Sequence, residues 1–467
     1  MAFLVLGANS VSGYTVKNSL RFNSGSSDNL SRTISSAGDR QKYTISTWVK
    51  RSTLSTRQMF IGQYLDANNY FYIEFSSSSD VIYIADVTSS ALGYDLTTTQ
   101  VFRDVSAWYH IVLAVDTTQA TNTNRVKLYV NGSQVTALAG ATYPTQNYSS
   151  LWNSASSSTQ TIGFRTATSF YYNGYMSEIY SISGQALDAS SFGQTDTDTG
   201  IWIPKAYTGT YGTNGFYLKF ANSASLGTDS SGNGNNFTVN NLTSVDQTTD
   251  TPTNNFCTMN PLNNKSFSGS GTLTEGNLQV SYSGGLFQTN ATMAVNTGKW
   301  FWETKGVSNM QQGTVGARIG FLVQDNTGYT NQYFEGACIF GMWWHPTIGI
   351  YTCVGTTQTL RSSTLTYTDG DIIGIALDLT NNISYWYKNG TLTYTYDFSA
   401  LVTIGSYFMC ASLGNGSGSA SPVYQLNFGN PPYSANSYQD ANGFGNFSYQ
   451  VPSGFYSLCT KNLSLYG

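Results

Sequence analysis

Charge is what this chain has least of. Lys, Arg, Asp and Glu make up 10% of its 467 residues, against roughly 25% in an ordinary soluble protein, so solubility must rest on Ser, Thr, Asn and Gly. The net charge of −4 comes without a basic stripe, so nothing would displace counterions from a phosphate backbone and no nucleic-acid partner is expected. Histidine is scarcer still, with only His110 and His345. Lacking HExxH, CxxC or an acidic cluster at ligand spacing, the chain offers no zinc or di-metal centre. Five cysteines (Cys257, Cys338, Cys353, Cys410, Cys459) are scattered and odd in number, which argues against a disulfide framework and for buried free thiols. Long apolar runs are missing too. Met1 to Leu6 is apolar but too short to span a bilayer and lacks the basic flank of a signal peptide, so no membrane insertion is expected and folding in a cytoplasm is.

What the chain does have is aromatic side chains, 15% of it and mostly Tyr, and these suit strand packing and sugar stacking alike. Gly370 to Gly390, GDIIGIALDLTNNISYWYKNG, carries the clearest grammar. Ile372 to Leu379 is apolar on both faces, Ile383, Tyr385 and Tyr387 alternate with Ser384, Trp386 and Lys388, and Asn389-Gly390 supplies the positive φ values of a type I′ hairpin turn. Val112 to Asp116, then Val126 to Val130 and Asn131-Gly132, repeat that grammar. Two copies so far apart indicate two related β-domains in tandem.

Between Leu20 and Gln194 short strands recur: Tyr43 to Lys50, Gln58 to Tyr64, Tyr70 to Phe75, Val81 to Val87, Trp108 to Val115, Arg125 to Val130, Thr161 to Phe164 and Tyr175 to Tyr180. Gly, Asn and Ser turns without helical periodicity point to an antiparallel sandwich. YTISTWVKR (43–51), WYHIVLAVD (108–116), VKLYVNGSQV (126–135) and IG…YNGYMSEIYSISGQALDASSF (162–192) resemble, in order, the motifs of a laminin G / concanavalin A-like lectin domain. Further on, NTGKWFWET (296–304), ARIGFLV (317–323), DGDIIGIALDL (369–379), NNISYWYKNG (381–390) and YQLNFGN (424–430) resemble a SPRY domain. The expected fold is all-β, two tandem antiparallel sandwiches, a concanavalin A-like jelly roll followed by a SPRY-like sandwich. The expected boundaries are an N-terminal arm (1–18), the lectin-like domain (19–195), a polar, Gly- and Asn-rich inter-domain segment broken by Pro252 (196–262), the SPRY-like domain (263–432) and a C-terminal tail (433–467).

The tail VPSGFYSLCTKNL (451–463), with DSSGNGNNFTVNN (229–241) and DTPTNNFCTMNPL (250–262), resembles virion proteins of tailed phages from marine and cyanobacterial hosts that join lectin-like and SPRY-like modules. That resemblance implies a virion-surface component, in a fibre, a tail or the capsid surface, whose partners are other virion proteins and host-surface polysaccharide. Low-charge β-surfaces and the apolar arm suit a homo-oligomer, for which a trimer is expected.

Catalysis finds little purchase. His110 lies within a strand, where the lectin-like family often packs a His, and His345 sits beside a Pro and two Trp on a predicted loop. A glycoside hydrolase needs two carboxylates about 5–10 Å apart, yet Glu74, Glu178, Glu275, Glu303 and Glu335 are isolated, and Asp371 and Asp378 belong to a hairpin. The lectin-like resemblance admits calcium on rim loops, where Asp229 to Asn235 has suitable oxygens. A tight polar turn explains those residues equally, and no cofactor is assigned. What remains is a non-enzymatic binding surface of aromatic rings: Tyr64, Tyr70, Trp152, Phe170, Tyr171 and Tyr172 in the first domain, Trp343 and Trp344 in the second, all expected near strand ends or loops. The alternatives are a purely structural capsid decoration or spike that recognises nothing, and a glycan-hydrolysing enzyme.

Overall fold

The computed structural model describes residues 13–77, 79–155, 157–165, 170–266, 268–311, 316–324, 338–402, 405–415 and 421–467. Most of the expected N-terminal arm, and Glu335, lie outside the described residues. The chain divides into two compact units, Asn9–Thr253 and, from Asn254, the rest of the chain to Gly467. Both are antiparallel β-sandwiches, and among the described residues the α-helical content is one short helix, Thr460–Tyr466. No helix among them is long and apolar enough to cross a membrane.

In the first unit one sheet runs Ser133–Gln134, Val126–Val130, Trp108–Asp116, Lys42–Arg51, Gly174–Ser183, Ser19–Phe22, Gln247–Thr248, with Phe216–Leu218 also pairing on Gly174–Ser183. The other runs Leu138–Thr142, Ala91–Val101, Val81–Thr88, Asn69–Phe75, Gln58–Asp66, Thr159–Ile162, Asn29–Thr33, Thr238–Asn240. Ile45 and Val49 of the first sheet and Phe71, Ile73, Ile82 and Ile84 of the second meet in a single core. Period-2 alternation therefore decides which side chains fill the sandwich and which face out.

The expected inter-domain segment is not a linker. Residues up to Thr253 supply Phe216–Leu218, Thr238–Asn240 and Gln247–Thr248 to the first sandwich. The Asp250 carboxylate accepts from Lys50 Nζ at 2.8 Å and from Trp108 Nε1 at 3.1 Å. Arg32, whose pKa burial lowers to about 10 against the pull of Asp229, lies over the rings of Phe216 and Phe237. Such long-range partners leave no periodic trace in a polar, Gly-rich stretch. Asp229 itself makes the expected polar turn, Oδ1 accepting from the backbone N–H groups of Tyr217 and Ser231 and Oδ2 from Ser231 Oγ and the Asn235 N–H.

The second unit stacks two sheets around Phe321, Met342, Trp344, Trp302, Ile375 and Trp386. One runs Met259–Ser266, Leu286–Ala291, Tyr407–Asn415, Arg318–Gln324, Cys338–His345, Gly349–Gly355, Thr357–Ser362. The other runs Gly269–Thr274, Gln279–Gly284, Val423–Asn427, Lys299–Ser308, Ile372–Asp378, Ile383–Lys388, Thr391–Asp397. The expected separate tail is built in: Tyr456–Ser457 pairs in parallel with Lys299–Ser308, and buried Glu303 accepts from the backbone N–H groups of Ser448 and Tyr449 at 2.9 and 3.0 Å.

The repeated hairpin grammar holds in both units. Asn131 and Gly132 have φ of 45° and 85°, Asn389 and Gly390 of 50° and 77°, as a type I′ turn requires. Each Asn side chain also accepts a neighbouring strand's N–H, His110 for Asn131 (2.8 Å) and Ile372 for Asn389 (2.9 Å). Gly132 is further constrained, because a Cβ there would come within 2.5 Å of the Trp202 ring.

Candidate functional site

The outer face of the second sheet of the first sandwich carries the most distinctive surface chemistry. In N-Y-F-Y-I-E-F, Phe71, Ile73 and Phe75 point into the core, so Tyr70, Tyr72 and Glu74 point out. Register extends these into rows: Glu74 beside Met59 and Tyr83, Tyr72 between Gly62 and Ala85, Tyr70 beside Tyr64 and Val87. Tyr70 and Tyr72 stack at 5.7 Å, and Tyr83 meets Tyr72 edge-on at 5.8 Å. Gly62 and Ala85 keep the row through Tyr72 low, and Tyr72 itself is buried between the more exposed Tyr70 and Tyr83.

Two arginines lie across these rings. The Arg57 guanidinium sits 4.6 Å from the Phe170 centroid and 5.6 Å from that of Tyr72, and Arg165 sits 4.4 Å from Tyr70 and 4.8 Å from Tyr72. Arg57 Nε donates to both oxygens of Glu74, at 2.9 and 2.8 Å. Burial pushes the Glu74 carboxyl above its ordinary range and the Arg57 ion pair pulls it partly back. Burial opposes the charge on Arg57, but Glu74 outweighs it and the guanidinium pKa rises. Burial, then the charge of Asp95, raises the phenol of Tyr83. Asp95 Oδ1 is buried and has no hydrogen-bond partner among the described residues. The result is a face on which Tyr70 and Tyr83 are half-buried while Tyr72 (5% exposed) and Glu74 lie beneath them and the arginines, so the rings of Tyr70 and Tyr83 and the arginine donors are what a flat polyhydroxylated ligand would meet.

Of the residues named from sequence, Tyr64 and Tyr70 lie on this face and Phe170 borders it. Tyr171 stacks on Phe164 at 4.8 Å and is half-buried. Trp152, Tyr172, Trp343 and Trp344 are corrected by their burial, each 1% exposed or less. Trp152 packs on Phe71 and donates to Ser181 Oγ at 3.2 Å, and Tyr172 donates to the Lys50 carbonyl at 2.8 Å. Trp343 and Trp344 do lie near the end of strand Cys338–His345, but covered on both faces: Trp343 stacks on Tyr351 and Trp344 donates to the Leu365 carbonyl. Arg57, Tyr72, Glu74, Tyr83, Asp95 and Arg165 were missed. The alternation around Tyr70 could have found Tyr72 and Glu74, but Arg57 and Arg165 reach the face only through the fold.

Neither histidine faces this surface. His110 is fully buried between Trp48 (4.7 Å) and Trp202 (6.1 Å). The Trp202 indole donates to Nδ1 at 3.0 Å, so Nδ1 is the unprotonated nitrogen and Nε2 donates to Ser46 Oγ. Burial drives its pKa down to about 3. His345, expected on a loop, ends a strand and is buried.

These residues lie in a stretch with known relatives. Residues 23–191 match the Laminin G family described as the Concanavalin A-like lectin/glucanases superfamily. Over these residues the first sandwich is similar to a laminin G / concanavalin A-like lectin domain. Among solved structures, the chain is similar to the SPRY domain of human HERC1, with 14% identity and a TM-score of 0.26 over 36% of this chain and 96% of that one. It is also similar to the SAP-like pentraxin of Limulus polyphemus, with 13% identity and a TM-score of 0.29 over 38% of this chain and 80% of that one. Domain 4 of AbnA, an extracellular arabinanase from Geobacillus stearothermophilus solved in complex with arabinotriose, gives 20% identity and a TM-score of 0.26 over 32% and 65% of the two chains. No curated protein matches the chain.

Proposed function

We propose that this chain is a non-enzymatic, glycan-binding structural protein displayed on a tailed-phage particle, held there by other virion proteins and recognising host-surface polysaccharide. The observation that carries the reading is the half-buried pair of rings Tyr70 and Tyr83, set on either side of buried Tyr72 on the first sandwich. A sugar ring offers an apolar C–H patch to an aromatic face and hydroxyls to the groups around it, and Arg57, Arg165 and Asp95 surround these rings with donors and an acceptor. Binding is favoured over cleavage by the state of the carboxylates. Glu74 is 2% exposed and ion-paired, Glu178 accepts from the phenols of Tyr14, Tyr180 and Tyr217, and Asp371 and Asp378 pair with Lys388 and Lys299. None of these is a carboxyl poised beside a second one over an open cleft.

The particle assignment is supported by the phrases shared with phage virion proteins and by a low-charge β-surface. A homotrimer would present the face three times over and raise weak single-site affinity through avidity. The test is retention of the full chain on host polysaccharide, read together with gold-labelled antibody on intact particles. Expected are retention that falls at least tenfold in Tyr70→Ala and Tyr83→Ala, no release of reducing ends, and label at tail or fibre. Even label over the head without retention would replace this reading with capsid decoration, and released reducing sugar would replace it with the hydrolase.

A further inference from the structure

Two thiols meet on the outward side of the second sandwich. Strands Cys338–His345 and Gly349–Gly355 pair antiparallel with Cys338 opposite Gly355 and Gly341 opposite Cys353, and the register shifts between those two pairs. A bulge of this kind re-aims side chains. Here Cys338 and Cys353 both pack with Leu322, Trp343 and Met409, away from the core that takes Phe340, Met342 and Trp344. Ile339 and Val354, their chain neighbours within the bulge, are exposed, so the sulfurs lie one layer beneath the surface.

We propose that Cys338 and Cys353 form a redox pair that closes to a cross-strand disulfide when the folded protein meets a peroxide. The Cys353 thiol donates to the Gly355 carbonyl at 3.4 Å, and the Cys338 thiol beside it in the same cluster lowers Cys353 below the ordinary thiol range while Cys338 is raised, making Cys353 the nucleophile, since the thiolate is the reactive form. Its sulfur attacks one peroxide oxygen, the O–O bond breaks, and hydroxide leaves as water after taking a proton, giving a sulfenic acid on Cys353. The Cys338 sulfur then attacks that sulfur, the S–S bond forms, the S–O bond breaks, and a second water leaves with the Cys338 proton. The two thiols lose two electrons in all and the peroxide is reduced to two waters.

The other cysteines are the internal control. All five are free and buried, but burial raises Cys410, with Cys257 as a further cause, and burial raises Cys459 to about 11, which leaves both as poorly reactive thiols. The experiment treats the full chain, folded, with hydrogen peroxide and follows intact mass, alkylation and peptide mapping. Expected are a loss of two hydrogens, three thiols still available of the original five, a Cys338–Cys353 cross-linked peptide, a raised Tm, and full reversal by reductant. Cys338→Ser and Cys353→Ala should each prevent the cross-link while Cys410→Ser leaves it intact; two alternative variants keep the test decisive should one fail to fold. An unchanged mass, oxygen adducts without a cross-link, or a cross-link mapping to Cys257–Cys410 would overturn the proposal.

Discussion

The two sandwiches fill their interiors alike and differ in what they turn outward. On the lectin domain the outer rings of Tyr70 and Tyr83 are half-exposed among Arg57, Arg165 and Glu74. On the second sandwich the outward residues Leu322, Trp343 and Met409 are as buried as core. Aromatic content therefore says little about where a ligand is held. Tyr70 and Tyr83 keep one side in water, while Tyr72 and Phe75 are buried beneath the guanidinium groups of Arg57 and Arg51 because each of those cations is paired with a carboxylate; a ring among aliphatic neighbours is drawn in by area alone. The two histidines repeat the lesson: chemically scarce residues are spent on packing in both halves.

That contrast can be broken first at the domain boundary. A fragment ending at residue 195 should fail to fold, while one ending at Thr253 should give a cooperative transition by circular dichroism, because three strands of the two large sheets and Asp250 lie between the two endpoints. Asp250→Ala in the full chain should cost about 3–5 kcal/mol in denaturant unfolding, the penalty of removing the buried carboxylate that pairs with Lys50 and accepts from Trp108; a cost below 1 kcal/mol would mean that water reaches the pair. Acid should act on the first sandwich through His110. The folded pKa of His110, about 3, lies below its unfolded value of about 6.5, so the unfolded chain binds the proton that the folded one refuses. Stability is complete above pH 6.5 and is lost by roughly 1 kcal/mol per pH unit as pH falls toward 3, and His110→Phe should flatten that slope.

Single substitutions of the rings sharpen the comparison further. Trp152→Ala should destabilise the lectin domain by about 3–5 kcal/mol and lose ligand only through that instability, whereas Tyr70→Ala should leave the unfolding midpoint nearly unchanged and weaken retention on polysaccharide about tenfold, or about 1.4 kcal/mol. The smallest effect should be shared: Asn131→Ala and Asn389→Ala each place an alanine at positive φ and remove one hydrogen bond, costing about 1–2 kcal/mol apiece. Unequal costs would show that the two hairpins are not mechanically equivalent.

Much of the fold was legible. The strands around Trp108–Asp116 and Ile372–Asp378 were found from their nearly continuous apolar runs and Lys42–Arg51 from its β-branched and aromatic residues, and the Asn-Gly turns because few residue pairs accept positive φ twice. Ala91–Val101 and Cys338–His345 were not found. The first mixes Gly, Asp and Thr into its alternation, and the second ends in Trp-Trp-His-Pro, which looks like a loop until both its faces are seen to be covered. Of the site, Tyr70 and Tyr64 were legible from their place at strand ends, while Trp152 and Tyr172 were misplaced because a ring beside a turn looks accessible in one dimension.

The amino-acid sequence by itself determined the class of the protein: period-2 patterning, positive-φ turn pairs and a shortage of charge impose β-sandwiches, since each is a property of neighbours in the chain. Tertiary structure alone decided which rings face water, that residues 196–253 complete the first sandwich, and that Arg57 and Arg165 converge on one tyrosine face. Those outcomes depend on contacts between residues far apart in sequence, and such contacts exist only once strand order and register have brought their partners together.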